Sequence, residues 1–330
     1  MARGPSRCRT SPCQSGTTME GVGARLGVGQ AARVTPRRRI MDVKKTFRIG
    51  FCPFYPVPAG TDQEHSTEYF IERSAELGCT ATQVWHVPMD PDARKRLRDL
   101  AAAKNVELEV YAMGVFELAG PDAAAGRQKL LASIALAKEL GATLIRTGYG
   151  RLSLETSRFN RNRPLAEHLG SLVANLKEAA RIVGDAGIPL AIENHCDFTG
   201  RQMAQVFAEV GSPLVGAALD TANGYTVYCD PDDDVQDLAP YTITTHIKDM
   251  AMIDARDPGL IPLIPVGCAV GDGNVNIPQA IQTLAEKSPY AQGLHLIIEI
   301  GWWRVPEGQN ENDYKRDLFE RSIRYLQGLL

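Results

Sequence analysis

Four apolar runs in the second half of the chain each end in a side chain that can bind a cation. LAIE ends in Glu193, GAALD in Asp220, TITTH in His246 and LHLIIE in Glu299. Each run is short enough to be a buried strand, and each would carry its polar residue at the C-terminal tip. Three carboxylates and one imidazole form an oxygen-rich donor set that suits one divalent ion, Mn2+ foremost, with Mg2+, Co2+ or Zn2+ as alternatives. Such an ion, held beside adjacent carbonyl and hydroxyl oxygens, lowers the cost of removing the carbon-bound proton between them. Glu193 and Glu299, approaching from different strands, can then take and return that proton. His195 lies two residues beyond Glu193, on the same face of an extended chain, and is a third acid-base or substrate-donor candidate.

The elements that must position these groups are legible as a repeat. From Phe47 onward, short β-branched or aromatic runs alternate with amphipathic segments, as in consecutive βα units. Eight pairs can be counted, from FRIGFCPF with STEYFIERSAELGC to GLHLIIEI with NDYKRDLFERSIRYLQGLL. Ser66 or Thr67 is the expected cap of the first helix. Asp90 followed by Pro91 opens the second, and DPDDDVQDLAP gives only a weak sixth helix. Eight parallel strands with eight helices close a (β/α)8 barrel, an α/β fold whose functional groups stand at the strand C-termini. All four donors fall there, on strands five to eight. One barrel over residues 46–330 needs no second domain.

With those tips in place, the chain resembles the xylose isomerase-like barrel superfamily of sugar isomerases and epimerases. The features that carry the resemblance are IENH at 192–195, HIKD at 246–249, GDGNVNIP at 271–278 and IIE at 297–299. It implies that Glu193, Asp220, His246 and Glu299 are the metal ligands. It also implies a sugar isomerase or epimerase working through an enediolate. The superfamily further includes hydroxypyruvate isomerases, inosose dehydratases, DNA endonucleases and the metal-bearing subunits of C-glycoside deglycosidases, so a lyase acting on 3-oxo-sugars by β-elimination is the alternative. The implied assembly is a homo-oligomer, or a hetero-oligomer with a small subunit for the deglycosidase type. Two positions depart from the ketose 3-epimerase pattern: Asn223 stands where those enzymes have a substrate-binding His, and Met252 where they have an Arg. Only His86 is offered at the earlier strand ends where an endonuclease needs further ligands.

Other side chains near strand ends are candidates for holding substrate, each with a structural alternative. His86 and Trp85 end strand two and either bind a hydroxyl or pack under a loop. Arg146 in TLIRTGYG can reach inward to order a carboxylate. Lys248 either neutralises an oxyanion or pairs with Asp220 or Glu299. Trp302 and Trp303 follow Glu299 and can stack on a ring, while Phe54 and Tyr55 can form an opposite wall. Glu117 reads as a solvated loop acid. The segment between Lys248 and Asn276 reads as a long loop, poor in cations, which speaks against a sugar phosphate. Its Gly271 and Gly273 fit a turn better than a phosphate cradle, and Ile261, Leu263 and Ile264 fit a lid or an oligomer contact.

Charge and composition exclude other classes. Residues 1–40 hold eight Arg against the single acid Glu20, so an overall charge of -3 leaves about ten negative charges on the rest. Nucleic acid is therefore not an expected partner of the folded part. No apolar run approaches the roughly 18 residues of a membrane span. The first 45 residues are basic and lack hydrophobic periodicity, which is the pattern of a disordered extension. Met41 is an alternative start, and an Arg-rich transit segment fits only loosely. Seven Cys without CxxC spacing fit reduced thiols in a cytoplasmic protein.

Overall fold

The computed structural model describes residues 47–330 apart from 151, 256–258 and 260. The expectations for residues 1–45 lie outside the described residues. Seven strands follow one another as β1 (Arg48–Phe51), β2 (Ala81–Val84), β3 (Glu107–Tyr111), β4 (Leu144–Gly148), β5 (Leu190–Glu193), β6 (Val215–Asp220) and β7 (Thr242–Ile247). Two more, β8 (Asp249–Asp254) and β9 (Leu263–Cys268), precede the last, β10 (His295–Ile298). Strands β1 to β7 and β10 form a closed, all-parallel barrel in which β10 sits between β7 and β1. Eight helices separate them: α1 (Gln63–Glu76), α2 (Pro91–Lys104), α3 (Ala123–Glu139), α4 (Leu165–Ala186), α5 (Gly200–Val210), α6 (Pro231–Leu238), α7 (Ile277–Lys287) and α8 (Glu311–Leu329).

The strands read as near-continuous apolar runs because both of their faces are covered, the inner by the barrel interior and the outer by helices. Ile192, Leu219, Ile247 and Ile297 are fully buried, as are Leu176 and Val183 of α4 and Phe319 of α8. Local chemistry sets the helix ends. Asp90 accepts from the Asp92 and Ala93 amides with Pro91 in the first turn. Thr199 and Gln202 form a reciprocal capping box at α5. At α1 the expected cap is corrected: Asp62 accepts from the His65 amide, so the helix begins several residues before Ser66 and Thr67. The eight-residue α6 exists because Pro231 and the Asp230 cap start it and Val235 and Leu238 bury its inner face.

The segment after Lys248, expected as loop, instead contains the antiparallel hairpin β8–β9, with Asp249 opposite Cys268 and Asp254 opposite Leu263. Asp249 anchors its base. Its carboxylate accepts from the amides of Met250, Gly271, Gly273 and Val275 at 2.9 to 3.1 Å. Those amides are therefore not available to a phosphate, and the Gly271–Gly273 stretch is the turn its spacing suggests.

Candidate metal centre and substrate cavity

Register brings the four donors together. Asp220 on β6 is aligned with His246 on β7, His246 with Ile297 on β10, and Glu299 follows one residue beyond that strand. Glu193 ends β5 opposite Ala218, two residues before Asp220. One ligand atom from each of Glu193, Asp220, His246 and Glu299 lies within 4.8 Å of all the others. His246 Nδ1 is 3.2 Å from Glu193 Oε1 and in closer contact with Glu299 Oε2. His246 Nδ1, Glu299 Oε2 and Asp220 Oδ2 are buried without a hydrogen bond of adequate geometry. Buried polar atoms rarely stay unsatisfied without a reason, and although Lys248 Nζ approaches Asp220 Oδ2 at 2.7 Å, the three converging atoms fit a cation in their midst.

The electrostatics point the same way. Burial opposes ionisation of Glu193, yet the charge and hydrogen bond of His246, with the charge of His195, together outweigh it and hold the carboxyl at about 2. Burial favours a neutral His246, but Glu299 and Glu193 outweigh that and raise it to about 10. In the absence of an ion, a proton on His246 supplies part of the positive charge the carboxylates require. The rest comes from Lys248, whose Nζ lies 2.7 Å from Asp220 Oδ2, 3.4 Å from Glu299 Oε1 and 3.1 Å from Asn223 Oδ1. Lys248 is fully buried, so the structure places it as an internal counter-ion rather than on the cavity surface.

Backbone and side-chain contacts fix the donors from behind. Asp220 Oδ1 accepts from the amides of Ala222 and Asn223. Asn194 brackets the Asp220 backbone, accepting from its amide at 2.6 Å and donating to its carbonyl at 3.0 Å. Asn223 is buried and donates to Glu193 Oε1 at 3.3 Å, so this departure from the epimerase pattern ties Glu193 to Lys248. On its far side, His246 Nε2 meets the amide of Gln83, with Oε1 at 3.1 Å and Nε2 at 2.9 Å. Gln83 donates to Glu109 at 2.8 Å, and Glu109 receives His295 Nδ1 at 2.8 Å and the Thr244 hydroxyl. The buried chain ends where His295 Nε2 meets Glu107 at 2.9 Å and Glu107 meets Arg48 at 2.7 Å.

Above the donors lies a cavity of about 410 Å3 lined by Phe54, Trp85, Tyr111, Arg146, His195 and the ligands Glu193, His246 and Glu299, among others. Trp85 and Phe54 meet edge to face at 5.0 Å and form one wall. Of the remaining sequence candidates, Tyr55 is buried core bonded to Glu320. His86 is exposed and outside the lining. Glu117 is an exposed acid paired with Lys129. Trp302 is 41% exposed and stands over Lys248 Nζ at 4.8 Å from its ring centre, outside the lining. His195 faces the cavity with Asp197 3.7 Å away. Burial lowers its proton affinity, but Asp197 and Glu193 outweigh this and raise it above the ordinary histidine value. Gln83, Glu109 and Tyr111 were not singled out from sequence. The signal was there for Gln83 and Glu109, since each interrupts a short strand whose other residues are mostly apolar.

A family model described as a xylose isomerase-like TIM barrel matches residues 71–326. The chain belongs to that family. Among family and fold relatives, it is 23% identical to 3-oxo-isoapionate decarboxylase of Pectobacterium atrosepticum over 261 residues, 78% of this chain and 85% of that one. A D-psicose 3-epimerase structure obtained in the presence of D-fructose superimposes with a TM-score of 0.63 at 16% identity, covering 86% of this chain and 99% of that one. A xylose isomerase-like barrel protein of Mycobacterium smegmatis in complex with magnesium gives 0.61 at 18% identity, covering 86% and 98%. These two similarities establish the shared fold. Among the described residues no helix is long and apolar enough to cross a membrane.

Proposed function

We propose that this protein is a divalent-metal-dependent sugar isomerase or epimerase that removes and replaces a proton next to a carbonyl. The observation that carries it is the convergence of Glu193, Asp220, His246 and Glu299 within 4.8 Å at the mouth of a closed barrel. A divalent ion held there supplies Lewis acidity toward adjacent carbonyl and hydroxyl oxygens. The chain's own groups do the rest. Glu193 or Glu299 takes the carbon-bound proton, and the electron pair left behind delocalises into the carbonyl as an enediolate. The other glutamate protonates the neighbouring carbon, or the opposite face of the same carbon, giving an isomer or an epimer. Lys248 favours the ionised forms of Asp220 and Glu299 against their burial, His195 offers a proton at the rim, and the Phe54–Trp85 wall keeps water from one side of the cavity.

A second reading is a lyase acting on 3-oxo-sugars, favoured by two observations. Asn223 replaces the substrate histidine of the ketose epimerases and turns inward to Glu193 and Lys248. A relative at 23% identity is a 3-oxo-isoapionate decarboxylase. The same electron sink would then accept the pair released when a carbon–oxygen or carbon–carbon bond breaks, with one acid protonating the carbanion. Purified protein should hold about one equivalent of Mn2+, and His246→Ala should lose most of it. Solvent deuterium uptake and product formation across a panel of free ketoses and 3-oxo-sugars separate the two readings. Exchange with isomer formation supports the first, and bond cleavage supports the second. Undiminished turnover after exhaustive chelation would remove both.

A further inference from the structure

Arg146 is the only Lys or Arg lining the cavity among the described residues. Its residue exposure is 5%, yet its guanidinium makes no hydrogen bond to another described residue. The nearest carboxylate atom, Glu109 Oε2, lies 4.0 Å from Nε, beyond hydrogen-bond reach. Glu109 is held by Gln83, Thr244 and His295, and its distance from Arg146 leaves only a long ion pair between them. Tyr111 supports the guanidinium from one side, with Cζ 5.8 Å from the ring centre. Lys248 cannot serve the cavity, since its donors are spent on Asp220, Glu299 and Asn223. A guanidinium with five donors in a rigid fork, 4.0 Å from its nearest carboxylate and facing the cavity, has donors to offer a ligand there.

The geometry names what is missing. Lys248 lies against Asp220 and Glu299, and His295 donates to Glu109 at 2.8 Å. The Arg146 fork is left to face the cavity beside Phe54, Trp85 and Tyr111.

We propose that Arg146 is a carboxylate subsite, so that the substrate of this centre is a sugar acid whose carboxylate meets the Arg146 fork while its carbonyl and hydroxyl oxygens face the four-ligand cluster. This rests on the metal-centre reading above and narrows its substrate class. A planar carboxylate matches the fork in two parallel bonds. A phosphate dianion would call for a second Lys or Arg, and the described lining has none.

The test is calorimetric titration of the full chain, metal-free and Mn2+-loaded, with three probes: D-gluconate, D-glucitol, which lacks the carboxylate, and D-glucitol 6-phosphate. Gluconate should bind at least about tenfold more tightly than either other probe, the usual scale of a charge-assisted bidentate contact. Arg146→Met should remove that margin while changing Mn2+ and glucitol affinity by no more than about twofold. Arg146→Lys, which keeps the charge and the packing length, should retain part of it and shows that the loss is not a folding defect. Equal binding of gluconate and glucitol by the wild type overturns the proposal. So does a margin that survives in Arg146→Met, since the carboxylate would then be going elsewhere, or a preference for the phosphate. Failure of the chain to bind Mn2+ would instead strike the metal-centre reading, and the gluconate margin of the metal-free chain would still decide the role of Arg146.

Discussion

Glu193 and Glu299 approach His246 Nδ1 from different strands, and their neighbours are not equivalent. Glu193 accepts from Asn223, whereas Glu299 faces Lys248. Glu193→Gln and Glu299→Gln each keep an oxygen ligand and remove a base, so each should retain the fold and lose turnover by about two orders of magnitude or more. They should fail differently. If one acid removes the proton and the other returns it, one variant stops solvent deuterium exchange into substrate and the other still exchanges without forming product. In a single-base elimination, excess metal should rescue one of the two. Losses of only a few-fold at saturating metal would make His195 the next base to test. Behind the cluster, Gln83 holds His246 Nε2. Gln83→Leu should weaken Mn2+ binding roughly ten- to a hundredfold, the range found for groups that orient a metal-bound imidazole, as measured by equilibrium dialysis. Unchanged affinity would mean the ring is held by packing alone.

The strands place these residues, and the hairpin β8–β9 steadies the last of them. Gly267 on β9 passes so close to the segment after Glu299 that a Cβ there would sit 1.9 Å from the Gly301 carbonyl oxygen, a backbone atom that cannot turn aside. Gly267 also pairs with Trp303, and its amide donates to the Trp302 carbonyl at 3.2 Å. Gly267→Ala should therefore lower the melting temperature by several degrees, for a loss on the order of 1–3 kcal/mol, and reduce Mn2+ affinity through Glu299. A variant matching the wild type in both would show that the hairpin is free to move. This element was illegible in the sequence for a physical reason. Strands β8 and β9 pair with each other rather than within the barrel, around a stretch rich in Pro and Gly, and their register is fixed by Asp249 binding four amides across more than twenty residues. The barrel strands were legible because burial on both faces leaves an apolar run, and a polar residue at the tip of such a run demands a function. Arg146 and Lys248 look alike by that criterion. Only their partners in space separate an internal counter-ion from a guanidinium that lines the cavity.

Across the whole molecule, the buried chain of hydrogen bonds from His246 through Gln83, Glu109 and His295 to Glu107 and Arg48 joins the mouth of the barrel to its opposite end, and its lower half links folding to pH. Burial favours a neutral His295, but hydrogen bonds to Glu107 and Glu109 outweigh it and raise the imidazole to about 9 from its ordinary 6.5. Because the folded state binds this proton more tightly than the unfolded chain, the stabilisation is fully present below about pH 6.5 and is lost as pH rises through about 9. The shift corresponds to roughly 3 kcal/mol. Opposing that on the acid side, Glu107 and Glu109 are held below the ordinary carboxylate value, Glu107 by His295 against burial, and Glu109 by His295 after burial is overcome. Their contribution is present above about pH 4.5 and is lost as pH falls through their lowered values. Urea unfolding of the metal-free chain should therefore show stability declining from about pH 6.5 to about pH 9.5. His295→Gln should be less stable than the wild type at the lower pH and show a flatter decline, because its amide binds no proton in either state. A wild-type stability that stays level across this window, or a decline of the same slope in His295→Gln, would mean that the proton is not held at His295 and that the polar chain through the barrel is neutral.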